Sequence, residues 1–199
     1  MLHRHRRALS TLAIATAITV SSSSAHAQIF GFSATLSGSN EVPASPSPAT
    51  GSVFVTWNAY ALTMRVQASF SGLLGTTTAA HIHCCTPPFS NVGVATQTPS
   101  FIGFPLGVTG GSMDQTYDMT QASSFRAGFI TLNGGTVNSA RDALFQGLQS
   151  GRAYFNVHTN VYGGGEIRGN LAVVPEPSTV ILLGLGMAAL VPLARRRRS

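Results

Sequence analysis

The chain predicts an all-β domain, a sandwich or barrel with one short helix, framed by an export leader and an apolar C-terminal tail. Three observations carry this. Leu62-Thr63-Met64-Arg65-Val66-Gln67-Ala68-Ser69-Phe70 alternates apolar and polar residues without a slip, as a half-buried strand requires. Other short apolar segments are each bounded by Gly, Pro, Asn or Ser, at a spacing without βαβ rhythm. Only one stretch of the central region, from about Ser139 to Ser150, carries a helical stripe.

Taken in order, Phe32 to Leu36 is the first expected strand. Val53, Val55 and Trp57 then share one face of Ser52 to Asn58, and Asn58-Ala59-Tyr60 supplies a turn into the Leu62 to Phe70 strand, so an antiparallel hairpin is predicted. Further strands are expected at Ala79 to His83, Gly128 to Leu132, Ala153 to Thr159 and Glu166 to Val173. The helix takes Asn138 or Thr136 as its cap, Asp142 in its early turns and Gly151 as its stop. Ala140, Leu144 and Leu148 line one side, which should pack across an open end of the β structure. Residues 86–121, rich in Gly, Pro, Ser and Thr, read as loop with a single strand near Gly93 to Thr96.

Both ends read as targeting segments. Arg4, Arg6 and Arg7 precede an apolar run from Ala8 to Val20, four serines and the small-x-small triplet Ala25-His26-Ala27. This is the pattern of a secretory signal peptide over residues 1–27, cut by signal peptidase after Ala27. At the other end, Val174-Pro175-Glu176-Pro177 leads into an apolar stretch and then Arg195 to Arg198. Ser178 to Ala194 would span roughly 25 Å as a helix, enough for a thin bilayer, with the arginines held in the cytoplasm. Residues 28–174 are left as one domain, large enough to bury a core.

The +6 formal charge of the chain comes from these ends. Between them stand Arg65, Arg126, Arg141, Arg152 and Arg168 against Glu41, Asp114, Asp118, Asp142 and Glu166, five of each sign. With a neutral body and no lysine anywhere, nucleic-acid binding is excluded. Six acidic residues in all, no G-x-S-x-G elbow and no lysine beside the glycine runs leave little for glycosidase, serine-hydrolase or phosphate-loop chemistry.

Three histidines survive removal of the leader. His81 and His83 sit at i and i+2 in Ala79-Ala80-His81-Ile82-His83, so in a strand both imidazoles leave the same face. His158 lies in Tyr154-Phe155-Asn156-Val157-His158-Thr159 with Asn156 on its own face. Three imidazoles from two strands suit copper or zinc; the competing reading is a hydrogen-bonded polar seam in the sheet. Glu166 is open to three roles: fourth ligand, partner orienting an imidazole, or ion-pair partner of Arg168. The last is favoured, with Asn156 and Glu166 orienting the site. Cys84 and Cys85 directly follow His83. In an exported chain they could form a bond with each other, join the histidines at a soft metal, or pair between chains.

Several of these segments together resemble a known family. Leu36-Ser37-Gly38-Ser39-Asn40-Glu41-Val42-Pro43, Thr50-Gly51, Ala80-His81-Ile82-His83, Tyr154 to Thr159 and Gly165-Glu166-Ile167-Arg168-Gly169-Asn170-Leu171 are similar in order and spacing to the CHRD domain named after chordin. The resemblance implies an immunoglobulin-like, Greek-key β fold and an extracellular setting. Where the family often carries Gly after its His-Ile-His, this chain carries Cys84-Cys85. The last 25 residues, 175–199, resemble the PEP-CTERM sorting signal, in which Pro175, Glu176 and Pro177 would be the motif read by an exosortase-type enzyme. That implies transient membrane anchoring, then release to the cell surface or a matrix such as exopolysaccharide. A fainter likeness is to copper-zinc superoxide dismutase, another β-sandwich with a His-x-His strand. The expectation is therefore an exported, non-enzymatic binding or structural module with a His81, His83 and His158 metal site. The alternative is a copper redox enzyme in which Arg168 or Arg152 guides a small anion.

Overall fold

A computed structural model describes residues 28–175; the expected leader with Ala27, and Glu176 and Pro177 of the tail, lie outside the described residues. The predicted hairpin forms the middle of the fold. β2 (Thr50–Asn58) and β3 (Thr63–Ser71) pair antiparallel, with Val53, Val55 and Trp57 facing Ala68, Val66 and Met64 across the ladder. Asn58 closes the turn, its Oδ1 accepting from the backbone N–H groups of Tyr60 and Ala61.

β1 (Ile29–Ser37) lies on the other side of β2 over its full length. The remaining strands are β4 (Thr77–Cys84), β5 (Gly111–Asp118), β6 (Ala153–Thr159), β7 (Ile167–Asn170) and β8 (Ala172–Val174). They form one curled antiparallel sheet in the order β4-β6-β7-β1-β2-β3-β5, with β8 added on β1. The inner face carries Phe32, Val55, Met64, Val66, Ile82, Phe155, Val157 and Ile167, all buried. The all-β expectation of a sandwich or barrel holds, the strands forming one curled half-barrel sheet.

The expected helix is α2 (Val137–Gln149), following a shorter α1 (Ala127–Leu132). Of the two caps considered it uses Thr136, whose Oγ1 accepts from Ser139 N at 3.1 Å while Thr136 N donates to Ser139 Oγ. Ala140, Leu144 and Leu148 are buried, and Phe145 lies 5.1 Å from Trp57 and 5.0 Å from Phe30 between ring centres. Gly147 faces Cys84 and Cys85, which are joined as a disulfide between neighbours. A methyl group at residue 147 would meet Cys84 Sγ and lie 2.6 Å from Cys85 Sγ. Gly147→Ala, which gains roughly 1 kcal/mol in an open helix, is therefore expected to destabilise this protein by about 1–3 kcal/mol through overpacking. The melting temperature checks it, and an increase would show that the helix does not rest on the disulfide.

Three sequence expectations need correction. Residues 128–132 are helical, in α1, where β propensity is overridden by the tertiary setting that buries Phe129 beside Phe125. Residues 86–121 contain a full strand, β5, paired with β3 from Thr63↔Asp118 to Phe70↔Gly111. Only Met113 and Tyr117 of β5 are buried, so the alternation that marks a strand is too sparse to read. The strand expected near Gly93 to Thr96 is reduced to two isolated bridges, His83↔Val94 and Thr96↔Phe125.

Candidate metal centre

Antiparallel pairing of β4 and β6 sets His81 opposite Asn156, His83 opposite Tyr154 and Ala79 opposite His158. Period-two alternation therefore gathers His81, His83, Tyr154, Asn156 and His158 on one face while Ala80, Ile82, Phe155 and Val157 enter the core on the other. The histidine face is covered as well. The long segment after β4 folds back over it, and the loop after β6 closes its rim.

Each imidazole is fixed by one backbone carbonyl. His81 Nε2 donates to Pro99 O at 2.7 Å, His83 Nδ1 to Val92 O at 2.7 Å, and His158 Nδ1 to Gly163 O at 3.0 Å. A carbonyl can only accept, so these three nitrogens carry the protons and the other three carry lone pairs. Those others, His81 Nδ1, His83 Nε2 and His158 Nε2, are buried with no hydrogen-bond partner. The ring centres are 5.8 Å apart for His81 and His83, 5.1 Å for His81 and His158, and 5.9 Å for His83 and His158. One ligand nitrogen from each histidine lies within 4.8 Å of the other two. Two nitrogens on one ion are roughly 3.3–3.6 Å apart at bond lengths of about 2.0 Å, so a small inward closure completes the set.

The environment keeps these rings neutral. Burial pulls the pKa of His81 down to about 4, against the opposing Pro99 hydrogen bond. His83 falls to about 4 for the same reason, with His158, His81 and Arg168 adding repulsion. Burial lowers His158 too, opposed by its bond to Gly163.

Behind the trio stands a stack that the sequence did not announce. The Tyr154 ring lies 4.7 Å from His83 at an interplanar angle of 7°, and the Arg168 guanidinium sits 4.6 Å from the centre of the Tyr154 ring. Arg168 Nε donates to Asn40 O at 2.6 Å and Nη1 to Asn91 Oδ1 at 2.8 Å. Its ionic partner is Glu41, 3.9 Å away. Burial pushes the Glu41 carboxyl up to about 7, against the pull of Arg168 and of the hydrogen bond from Asn156 Nδ2. Glu41 belongs to the Asn-Glu-Val-Pro segment that carries part of the family resemblance, the one sequence signal that pointed to it.

The favoured ion pair of Glu166 with Arg168 does not form. Glu166, fully buried just before β7, turns instead to Ser47 Oγ, Thr159 Oγ1 and the N–H groups of Leu74 and Gly75, at 2.6 to 3.1 Å. It ties three separated segments together and is not among the clustered ligand atoms. Asn156 keeps its place on the histidine face, 1% exposed, with Oδ1 unpartnered. Cys84 and Cys85 hold each other, the first of the three arrangements considered for them. Arg168 is 1% exposed beneath Tyr154, so it is not placed to guide an anion from solvent; Arg152, just ahead of β6, is exposed.

Comparison with known proteins agrees with the motifs. Residues 32–171 match the CHRD domain, and residues 173–198 match the PEP-CTERM protein-sorting motif. The second match implies processing by an exosortase and association with the membrane, consistent with export and cell-surface sorting. Neither the curated proteins nor the solved structures contain a match to the chain. With the matched region running from β1 to the end of β7 and including all three histidines, the chain belongs to the CHRD domain family.

Proposed function

We propose that this exported CHRD protein is a binding module that holds one copper or zinc ion through His81, His83 and His158 and works without turnover at the cell surface or in an exopolysaccharide matrix. In this reading signal peptidase releases the leader at Ala27 and the tail delivers the domain. The observation that carries the metal is the set of three buried ring nitrogens left without a partner while the opposite nitrogens are each bound to a carbonyl. A polar seam would have paired them, since each buried unsatisfied group costs about 1–3 kcal/mol. Carbonyl bonds that orient metal-ligating imidazoles are the usual supporting arrangement.

The copper redox enzyme receives less support. It needs an ion open to a small substrate, whereas the free nitrogens are buried and Arg168 is engaged inside the protein.

Metal analysis of the full-length protein recovered from the membrane and periplasm tests the proposal. About one copper or zinc per chain is expected, falling to background in a His81→Ala/His83→Ala variant. His158→Ala should weaken binding by roughly 100-fold or more, because it removes a ligand rather than a supporting contact. No metal in either protein, with equal thermal stability, would leave the histidines as a structural seam.

A further inference from the structure

We infer that the three-histidine centre selects monovalent copper over divalent copper and zinc. This rests on the reading of His81, His83 and His158 as a metal site, and it follows from what surrounds them. All three ligands are imidazoles with one ring nitrogen donating to a backbone carbonyl, which leaves an uncharged lone-pair nitrogen for the ion. Among the described residues no carboxylate or thiolate joins them: Glu166 is consumed by four donors, Glu41 by Asn156 and Arg168, and the two cysteines by each other. The nearest charged groups, Glu41 and Arg168, pair with one another, so the protein supplies no net negative charge to offset an ion.

Two physical consequences point the same way. The cost of placing an ion in a poorly solvated interior rises with the square of its charge, so a divalent ion is penalised about four times as heavily as a monovalent one. The Arg168 guanidinium lies behind the Tyr154 ring on the His83 side, and a positive charge there bears harder on the ion of higher charge. Coordination number then separates the metals. Structural zinc takes four ligands, the fourth supplied by protein, and catalytic zinc fills its fourth place with water. Here the ligand nitrogens are buried and, among the described residues, no fourth histidine, cysteine or carboxylate atom joins them; the unpartnered oxygen on the same face, Asn156 Oδ1, is a neutral amide and adds no charge. A filled-shell monovalent copper ion is satisfied by three nitrogens in a plane.

The test is competitive titration of the full-length protein in mild detergent. Cu(I) kept reduced by ascorbate is titrated against bicinchoninate, and Zn(II) and Cu(II) are titrated against chromogenic chelators of known affinity. Cu(I) is expected to bind tighter than Zn(II) by roughly 100-fold or more, with X-ray absorption reporting three nitrogen neighbours. Asn156→Asp combined with Glu41→Gln, which reverses donor and acceptor in the hydrogen bond between them, moves the carboxylate to the histidine face opposite His81 and should narrow that gap by roughly tenfold. Zinc or Cu(II) bound as tightly as Cu(I), or an unchanged gap in the folded double variant, would overturn the selectivity and leave the metal site standing. Failure to bind any of the three ions, with the His81→Ala/His83→Ala protein behaving identically, would overturn both.

Discussion

Glu166→Ala is expected to destabilise the domain by about 3–5 kcal/mol, the largest effect of any single side-chain truncation on its polar residues. The carboxylate is fully buried and accepts from Ser47 Oγ, Thr159 Oγ1, Leu74 N and Gly75 N. Removing it strands four donors at once, and two of them are backbone groups that cannot rotate to find water. The affected segments are the approach to β2, the β3–β4 connection and the end of β6, so the loss spreads over the half of the sheet that carries the histidines. Burial alone would raise the pKa of Glu166, but the four hydrogen bonds outweigh it and hold the group below its ordinary value. A depressed carboxyl stabilises the fold above its unfolded pKa and loses that contribution as pH falls. Urea unfolding at neutral pH measures the effect of the substitution. A loss under about 1 kcal/mol, the size of one ordinary hydrogen bond, would mean that Glu166 is not the tie described here.

Acid should be nearly as damaging to the metal-free protein. His81 and His83 have folded-state pKa values of about 4, against 6.5 for an unburied imidazole. The unfolded chain therefore takes up protons first as pH drops. Stability is intact above pH 6.5 and declines down to about pH 4, by at most about 3 kcal/mol for each ring. His158 is depressed in the same direction and adds to the slope. The measurement is the urea midpoint of EDTA-treated protein across that range. Bound metal competes with the same protons, so the loaded protein should resist to lower pH. A flat profile for the metal-free protein would contradict neutral, desolvated imidazoles.

Much of this architecture can be read locally. Unbroken alternation in Leu62 to Phe70 suffices for β3, because a single face of that strand is buried and the period of two is undisturbed. Thr136, Ala140, Leu144, Leu148 and Gly151 define α2 for the same reason, each satisfying a requirement that is local to one helix. The i, i+2 spacing of His81 and His83 puts both rings on one face as soon as β4 is a strand. Strand β5 is hidden because only Met113 and Tyr117 are buried, and its other cross-strand contacts, such as Arg65 and Gln67 with Asp114, are exposed and polar. Helix α1 is hidden because six residues are too few for a helical period to emerge.

The amino-acid sequence by itself determined the all-β class, the C-terminal sorting motif beside a neutral body, and the identity of the three histidines. The reason is that periodicity, composition and motif spacing are properties of neighbouring residues. Only the tertiary structure decided which groups these residues meet. The β4–β6 register placed His158 beside His81 and His83, and the overlying loop brought the Val92 and Pro99 carbonyls to the rings. Long-range folding also gave Arg168 to Glu41 and Tyr154, and Glu166 to Ser47, Leu74, Gly75 and Thr159. Two residues apart in the chain, Arg168 and Glu166 have the opposite charges and the proximity of an ion pair, yet each finds better partners more distant in sequence. A buried charge is held by the full set of donors and acceptors that the fold assembles around it, and that set cannot be listed from its neighbours in the chain.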